Sequence, residues 1–285
     1  MIKQLTIIGV GLIGGSLALA LKRAGYVEKV VGHGHKQASL ERAVELGVVD
    51  AYELDIEAAV KSADVVLLAV PMGVMDGVFA AISSVLPSKT IVTDAGSAKG
   101  SVVASARNHF KSQFNQFVPG HPIAGTERSG VEAAFPELYG DRRVLLTPVE
   151  ETSPEALQCV RAMWEATGAI VEEMSVETHD EMLAATSHLP HILAFNLMNT
   201  LVQIDKSEGI FRFSAGGFRD FTRIASSNPP MWRDICLTNK EAVLAVLDQY
   251  ESDLALLRTA IEKDDGEGLL DAFSRAKAVR DRHIK

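Results

Sequence analysis

The sequence predicts an α/β domain with a doubly wound parallel sheet over residues 1–174, followed by an all-helical domain over residues 175–285. Three observations carry this reading. Short apolar runs alternate with helical stretches from the N-terminus onward, the order that builds a parallel sheet with helices on both faces. A glycine-rich turn joins the first run to the first helix. After residue 174 the strand-like runs stop and long helical patterns continue.

The elements follow in order. Residues 4–8 (QLTII) are an apolar run ending at a glycine, which reads as a buried strand. Residues 12–23 are rich in Leu and Ala and close at Gly25, a helix with its C-terminal glycine. KVVG at 29–32 gives a second strand, and QASLERAVEL at 37–46 an amphipathic helix closed by Gly47. DVVLLAV at 64–70 is continuously apolar, as a strand covered on both faces should be, and Pro71 ends it. A helix is expected over 74–85, a strand over 90–94, a helix over 98–108, and a further strand ending in FVPGH at 117–121. RVLLTP (143–148) and AIVEEM (169–174) read as strands flanking a helix at 153–167. Residues 179–202 are more apolar than a surface helix needs, and Pro190 should kink or break them. Residues 238–263 are amphipathic at helical spacing. No linker separates the halves, so the two domains should pack together with a site between them.

Composition narrows the function classes. Lys plus Arg is 28 and Asp plus Glu is 37, a formal net charge of −9. An acidic chain repels a phosphate backbone, so nucleic acid is not expected as a partner. The two cysteines, Cys159 and Cys236, make neither a disulfide framework nor a zinc-finger spacing, and point to a cytoplasmic protein. Glycines interrupt the apolar N-terminus, and no charge-free apolar run of about 18–20 residues occurs, so neither a signal peptide nor a membrane span is expected.

Gly9-Val10-Gly11-Leu12-Ile13-Gly14 is a G-x-G-x-x-G. The pattern is weak in isolation, but here it follows a strand and opens a helix, the context a Rossmann dinucleotide site demands. Gly9 allows the tight turn, Gly11 lets the pyrophosphate approach the backbone, and Gly14 lets helix and strand pack closely. The phosphates would lie on the helix N-terminus, beside Leu12 and Ile13. Val70 and Pro71, where the strand over 64–70 ends, should also face the cofactor. NAD sites carry an acid about 20 residues past the last glycine, for the ribose hydroxyl. That position is Gly34, within His33-Gly34-His35-Lys36, and holds no carboxylate. His35 or Lys36 could instead contact a 2′-phosphate. NADP, favoured over NAD or used alongside it, is therefore expected. The alternative is that Lys36 is only a solvated residue at a helix start.

Four further segments stand out: Asp94-Ala95-Gly96-Ser97-Ala98-Lys99-Gly100, Gly120-His121-Pro122-Ile123-Ala124-Gly125-Thr126-Glu127, Ser187-His188-Leu189-Pro190-His191, and Gly216-Gly217-Phe218-Arg219-Asp220-Phe221-Thr222-Arg223 followed by Met231-Trp232-Arg233-Asp234. With these, residues 4 to about 260 resemble the prephenate/arogenate dehydrogenase family of tyrosine biosynthesis. The resemblance implies a Rossmann domain followed by an all-helical dimerisation domain, hence a homodimer; since the sequence starts at the Rossmann strand and ends with the helices, neither a fused chorismate mutase nor a fused regulatory domain is expected. It implies an oxidative decarboxylation. Hydride leaves the ring carbon that bears the 4-hydroxyl, carbon dioxide leaves from the opposite ring position, and a phenol forms. Prephenate would give 4-hydroxyphenylpyruvate, and arogenate would give tyrosine. Tyrosine is an expected feedback inhibitor, competing for the same pocket.

The resemblance also assigns residues. His121 takes the ring-hydroxyl proton, a role that suits an imidazole titrating near working pH, and it should lie at the C-terminal edge of the sheet. Ser97 orients His121 beside the nicotinamide; a helix N-cap is its other reading. Arg223 holds a substrate carboxylate, as a planar guanidinium can. His191 contacts substrate, with His188 one turn away on the same face. Thr126 and Glu127 join the substrate contacts, and Glu127, Arg219 and Asp220 are expected to gate the site or bridge subunits. No metal is expected, since the His188/His191 pair has no third ligand at firm spacing. Gly96-Ser97-Ala98 is not a G-x-S-x-G, and no P-loop occurs. Two other readings stay open. One is a β-hydroxyacid-type Rossmann dehydrogenase, which would rely on a Lys where this helical half offers His188, His191 and Arg223. The other is a non-catalytic NAD(P) sensor, which would need no base.

Overall fold

The computed structural model describes residues 1–126, 128–206 and 209–284. Six parallel strands form the main sheet in the order β3-β2-β1-β4-β5-β6. They are β1 (Ile2–Ile8), β2 (Val27–His33), β3 (Ala51–Glu53), β4 (Val65–Leu68), β5 (Ile91–Asp94) and β6 (Phe117–Val118). The helices between them are α1 (Leu12–Arg23), α2 (Gln37–Glu45), α3 (Ile56–Val60), α4 (Met72–Ser83) and α5 (Gly100–Phe110). This strand order is that of a dinucleotide-binding fold, whose chain reverses direction between β1 and β4 and opens a crevice there.

The sheet is covered on both faces because its strands are apolar on both faces. Along β4, Val65 and Leu67 join one buried cluster, with Leu5, Ile7, Leu17 and Trp164. Val66 and Leu68 join the other, with Ile8, Phe79, Val92 and Phe117. Period-2 alternation sends neighbouring residues to opposite sides, so both layers are filled by one continuous apolar run. On the second face Phe79 meets Phe110 and Phe117 edge-on, with ring centroids 5.2 and 5.4 Å apart.

A second, three-stranded sheet has the order β7-β8-β9: β7 (Gly120–Pro122), β8 (Arg143–Leu146) and β9 (Ile170–Glu173), with α6 (Pro154–Glu165) before β9. The strand expected to end at 117–121 is therefore two strands in two sheets. Pro119, which has no N–H to give, separates them. His121 accordingly lies on β7, paired antiparallel with β8 across Leu145, and not on the edge of the main sheet. The unit β3–α3 was not expected; its elements are three and five residues long, too short for a periodic signal. The helix expected over 98–108 begins at Gly100, so Ser97 is not its N-cap.

The helical half begins with α7 (Val176–Leu183), α8 (Leu189–Ile204), α9 (Gly216–Thr222) and α10 (Pro229–Thr238). A π-helical turn, Ala184–His188, joins α7 to α8, and Pro190 sits in the first turn of α8. Proline is tolerated there because the first turn has no intrahelical acceptor for its missing N–H. The expected break is thus made by the π-turn, and Pro190 opens the next helix. By contacts the chain divides into Met1–Lys240 and Glu241–Lys285. The strands stop at Glu173, and α7 to α10 fall within the first of these two units. The second unit holds α11 (Lys240–Glu262) from its second residue onward and α12 (Gly266–His283), which expose Leu254, Leu256, Ile261, Leu270 and Phe273. Among the described residues no helix is long and apolar enough to cross a membrane.

Candidate active site

The fingerprint glycines stand where their spacing puts them. Gly9 has φ +98°, a conformation that costs a side chain dearly, and a Cβ there would collide with the Ala69 carbonyl. A Cβ on Gly14 would meet Ile7 Cγ2 at 2.6 Å, so Gly14 serves the contact between α1 and β1. Around Gly11 a Cβ would meet nothing within 4 Å: this glycine opens onto free space at the head of α1. That space is a cavity of about 1060 Å³ whose wall includes Gly9, Gly11, Gly34, His35, Lys36, Val70 and Pro71. An open cradle over a bare helix N-terminus fits a dinucleotide pyrophosphate. His35 and Lys36 are exposed on its rim. Asp55, in the turn before α3, also lines it, with its carboxylate accepting the N–H of Glu57. Sequence reading missed this acid along with β3–α3.

A second cavity, of about 600 Å³, shares Gly11 and Ala69 with the first. Its wall brings together Leu12, Ile13, Ser97, His121, Thr126 and His188. It also includes Arg128, Ser187, Asn228 and Trp232, which sequence reading did not assign to it. Arg128 is the permanent cation among the described lining residues. Neither His191 nor Arg223 is in that wall. His191 stacks flat on Trp232, with centroids 3.6 Å apart at 19°, and its Nδ1 bonds the Ser187 carbonyl at 2.9 Å. Arg223 is exposed and opens the 3-10 turn that leads to Ser226, Ser227 and Asn228 in the wall. Its charge helps to lower the His191 pKa, after burial, so the two are neighbours. Arg219 and Asp220 are exposed on α9. Glu127 lies outside the described residues.

A buried ion pair anchors the floor. Asp94, ending β5, and Lys99 are both fully buried and paired. The Asp94 carboxylate accepts the N–H of Gly96 at 2.7 Å and of Gly120 at 3.1 Å. Lys99 Nζ donates to the Gly120 carbonyl at 2.7 Å. The pair thus ties the loop bearing Ser97 to the residue before His121. Burial lowers the Lys99 pKa, and the Asp94 carboxylate opposes that fall.

His121 is half-buried, and its Nδ1 lies 2.9 Å from Nε2 of His179, a fully buried residue of α7. His179 Nδ1 lies 2.8 Å from the Asp180 carboxylate. The bonded partner of His121 is therefore His179, where the resemblance implied Ser97. Burial is the main cause that holds the His121 pKa well below its ordinary 6.5. Burial also lowers His188, to about 4. His188 Nδ1 accepts from Asn239 Nδ2 at 3.2 Å, and the same amide donates to the Asp180 carbonyl at 2.9 Å. Neutral imidazole in the wall of a cavity beside a dinucleotide cradle can accept a proton as a hydride leaves.

Comparison with known proteins agrees with this geometry. Residues 17–173 match the prephenate dehydrogenase nucleotide-binding domain, and residues 175–275 the prephenate dehydrogenase dimerization domain. A cyclohexadienyl dehydrogenase of Zymomonas mobilis is 41% identical, over 98% of this chain and 95% of the relative. A prephenate dehydrogenase of Bacillus subtilis is 38% identical, over 96% of this chain and 74% of the relative. The structure of prephenate dehydrogenase from Aquifex aeolicus with hydroxyphenyl propionate and NAD+ superposes with a TM-score of 0.93 at 38% identity, covering 99% of this chain and 98% of that one. Synechocystis arogenate dehydrogenase superposes with a TM-score of 0.80 at 28% identity, covering 99% of this chain and all of that one. Nucleotide fold, helical half and the cavity holding His121 have one common explanation: this chain belongs to the prephenate dehydrogenase family of NAD-dependent oxidoreductases.

Proposed function

We propose that this chain oxidatively decarboxylates prephenate, arogenate or both, with His121 as the base. Bound in the larger cavity, the nicotinamide cofactor supplies the hydride acceptor. His121 accepts the proton of the 4-hydroxyl while the hydride departs, carbon dioxide leaves from the opposite ring position as the ring becomes aromatic, and the phenolate oxygen takes the proton back from His121. Burial keeps His121 neutral near pH 7 and so competent as a base. Ser97 and His188 flank it in the cavity wall. Arg223 holds a carboxylate, with His191 and Thr126 as further substrate contacts. The observation that carries the reading is His121, held by His179, in the wall of a cavity that shares Gly11 and Ala69 with the dinucleotide cradle.

The cofactor reading is that NADP is accepted as well as NAD. The absent acid at Gly34 and the exposed His35 and Lys36 on the rim support it. The helical half forms a homodimer, supported by the dimerization-domain match and by exposed Val202, Ile204, Phe213 and Phe221. Tyrosine, which carries the phenol that the reaction forms, competes for the substrate cavity. The free thiols of Cys159 and Cys236 suit a cytoplasmic location. The test is initial-rate absorbance of reduced nicotinamide with prephenate or arogenate crossed against NAD or NADP. Turnover in at least one combination is expected, and the ratios rank substrates and cofactors. Silence of the folded protein in all four overturns the proposal.

A further inference from the structure

Asp180 has two tasks. Its carboxylate accepts the backbone N–H of Lys99 and of Gly100, each at 2.8 Å, which closes the N-terminus of α5. It also faces His179 Nδ1 at 2.8 Å. Burial alone would raise the Asp180 pKa, but the bonds from His179 and the two N–H groups hold it below the usual carboxylate value. An ionised carboxylate only accepts, so the shared proton resides on His179 Nδ1. Burial lowers His179 below 6.5 against the pull of Asp180, so that ring is neutral and its Nε2 is a bare acceptor. His121 Nδ1 stands 2.9 Å from that nitrogen. Two lone pairs do not face each other at this distance, so His121 carries its proton on Nδ1.

We propose that His179 and Asp180 are positioning residues that hold His121 as its Nδ1–H tautomer, leaving Nε2 as the proton-accepting nitrogen toward the cavity. This rests on the reading of His121 as the base. Among the described residues His121 Nε2 has no partner, as a nitrogen kept for substrate should have none. When Nε2 takes the ring-hydroxyl proton, the N–H at Nδ1 still donates to His179, and the Asp180 carboxylate at the far end offsets the new positive charge. The charged and titratable groups around His121 come from every side: Asp94 and Lys99 below, His179 and Asp180 on α7, and His188 in the π-turn. Neither His179 nor Asp180 has a motif of its own. The topology alone joins them to a histidine 58 residues earlier.

Four variants of the full chain test this: His179→Leu, His179→Gln, Asp180→Asn and His121→Asn, each assayed with prephenate and NAD across pH. Leu removes the acceptor, whereas Gln offers an amide oxygen near the position of Nε2. His179→Leu is expected to lower kcat by roughly 10- to 100-fold with little change in KM. The acid limb of its kcat profile should move to lower pH, because the imidazolium of His121 loses its acceptor. His179→Gln should restore most of the rate and the limb, and Asp180→Asn should fall between them. Wild-type kcat and limb in His179→Leu, or equal loss in Leu and Gln with an unmoved limb, overturns the proposal while leaving His121 as base. Near-normal turnover of His121→Asn removes the base reading itself. Should the variants not fold, imidazole nitrogen NMR of the histidine-labelled wild-type protein decides. A proton on His121 Nδ1 at neutral pH supports the proposal, and a proton on Nε2 overturns it.

Discussion

Replacing Lys99 by Met is expected to cost about 3–5 kcal/mol of stability, the loss typical when one partner of a buried ion pair is removed. The magnitude follows from the enclosure: neither side chain is exposed to any degree (0% each). Met fills the space of the aliphatic stem but leaves the Asp94 carboxylate without a cation and the Gly120 carbonyl without its donor. At about 1.4 kcal/mol per factor of ten, the unfolded fraction rises roughly 140- to 4000-fold. Urea unfolding followed by tryptophan fluorescence measures it, since Trp164 and Trp232 are both buried. A second substitution sharpens the result. Adding Asp94→Asn removes the stranded charge and is expected to recover about 1–3 kcal/mol, because the cost lies in the unpaired carboxylate and not in the missing ammonium. A loss below about 1 kcal/mol in the single variant, or no recovery in the double, would mean that the stranded Asp94 carboxylate is not the source of the cost.

Other outcomes are expected. Arg223→Ala should raise the apparent KM for substrate through about 2–4 kcal/mol of lost binding, with kcat less affected; an unchanged KM takes Arg223 out of the site. Lys36→Ala should raise the KM for NADP roughly tenfold and leave that for NAD nearly unchanged; equal changes for both would deny the rim a role in choosing the cofactor. Acid should destabilise the fold through His188. Its folded pKa, about 4, lies below the ordinary 6.5, so the unfolded chain binds the extra proton first. The contribution is complete above about pH 6.5 and disappears as pH falls through 4, a difference of about 3 kcal/mol. Urea midpoints at pH 7 and 4.5 should therefore separate more in the wild type than in His188→Gln, and equal separations would contradict this.

Much of the fold was legible because its signals are local. The run 64–70 is apolar at every position, and both core layers depend on that. Gly9, Gly11 and Gly14 are punctuation that a reader can see without coordinates, and each lies where its spacing requires. What escaped was either short or non-local. The three residues of β3 carry no period, and Asp55 at the cofactor rim was lost with them. The split at Pro119 moved His121 to a second sheet, which depends on pairing with Leu145. His121 itself was found through its motif, but its bonded partner was not. Nothing in a linear sequence tells that residues 121 and 179 meet. Buried networks of this kind are specified by tertiary contact, and a linear pattern does not encode them.

Steady-state kinetics of His121→Asn decide whether His121 is the base. Asn keeps the volume and polarity but cannot take up a proton. With the substrate and cofactor on which the wild-type protein is most active, kcat is expected to fall by about 10²–10⁴-fold while KM changes little, because the lost interaction belongs to the transition state. A correctly folded variant that retains wild-type kcat would mean that His121 is not the base.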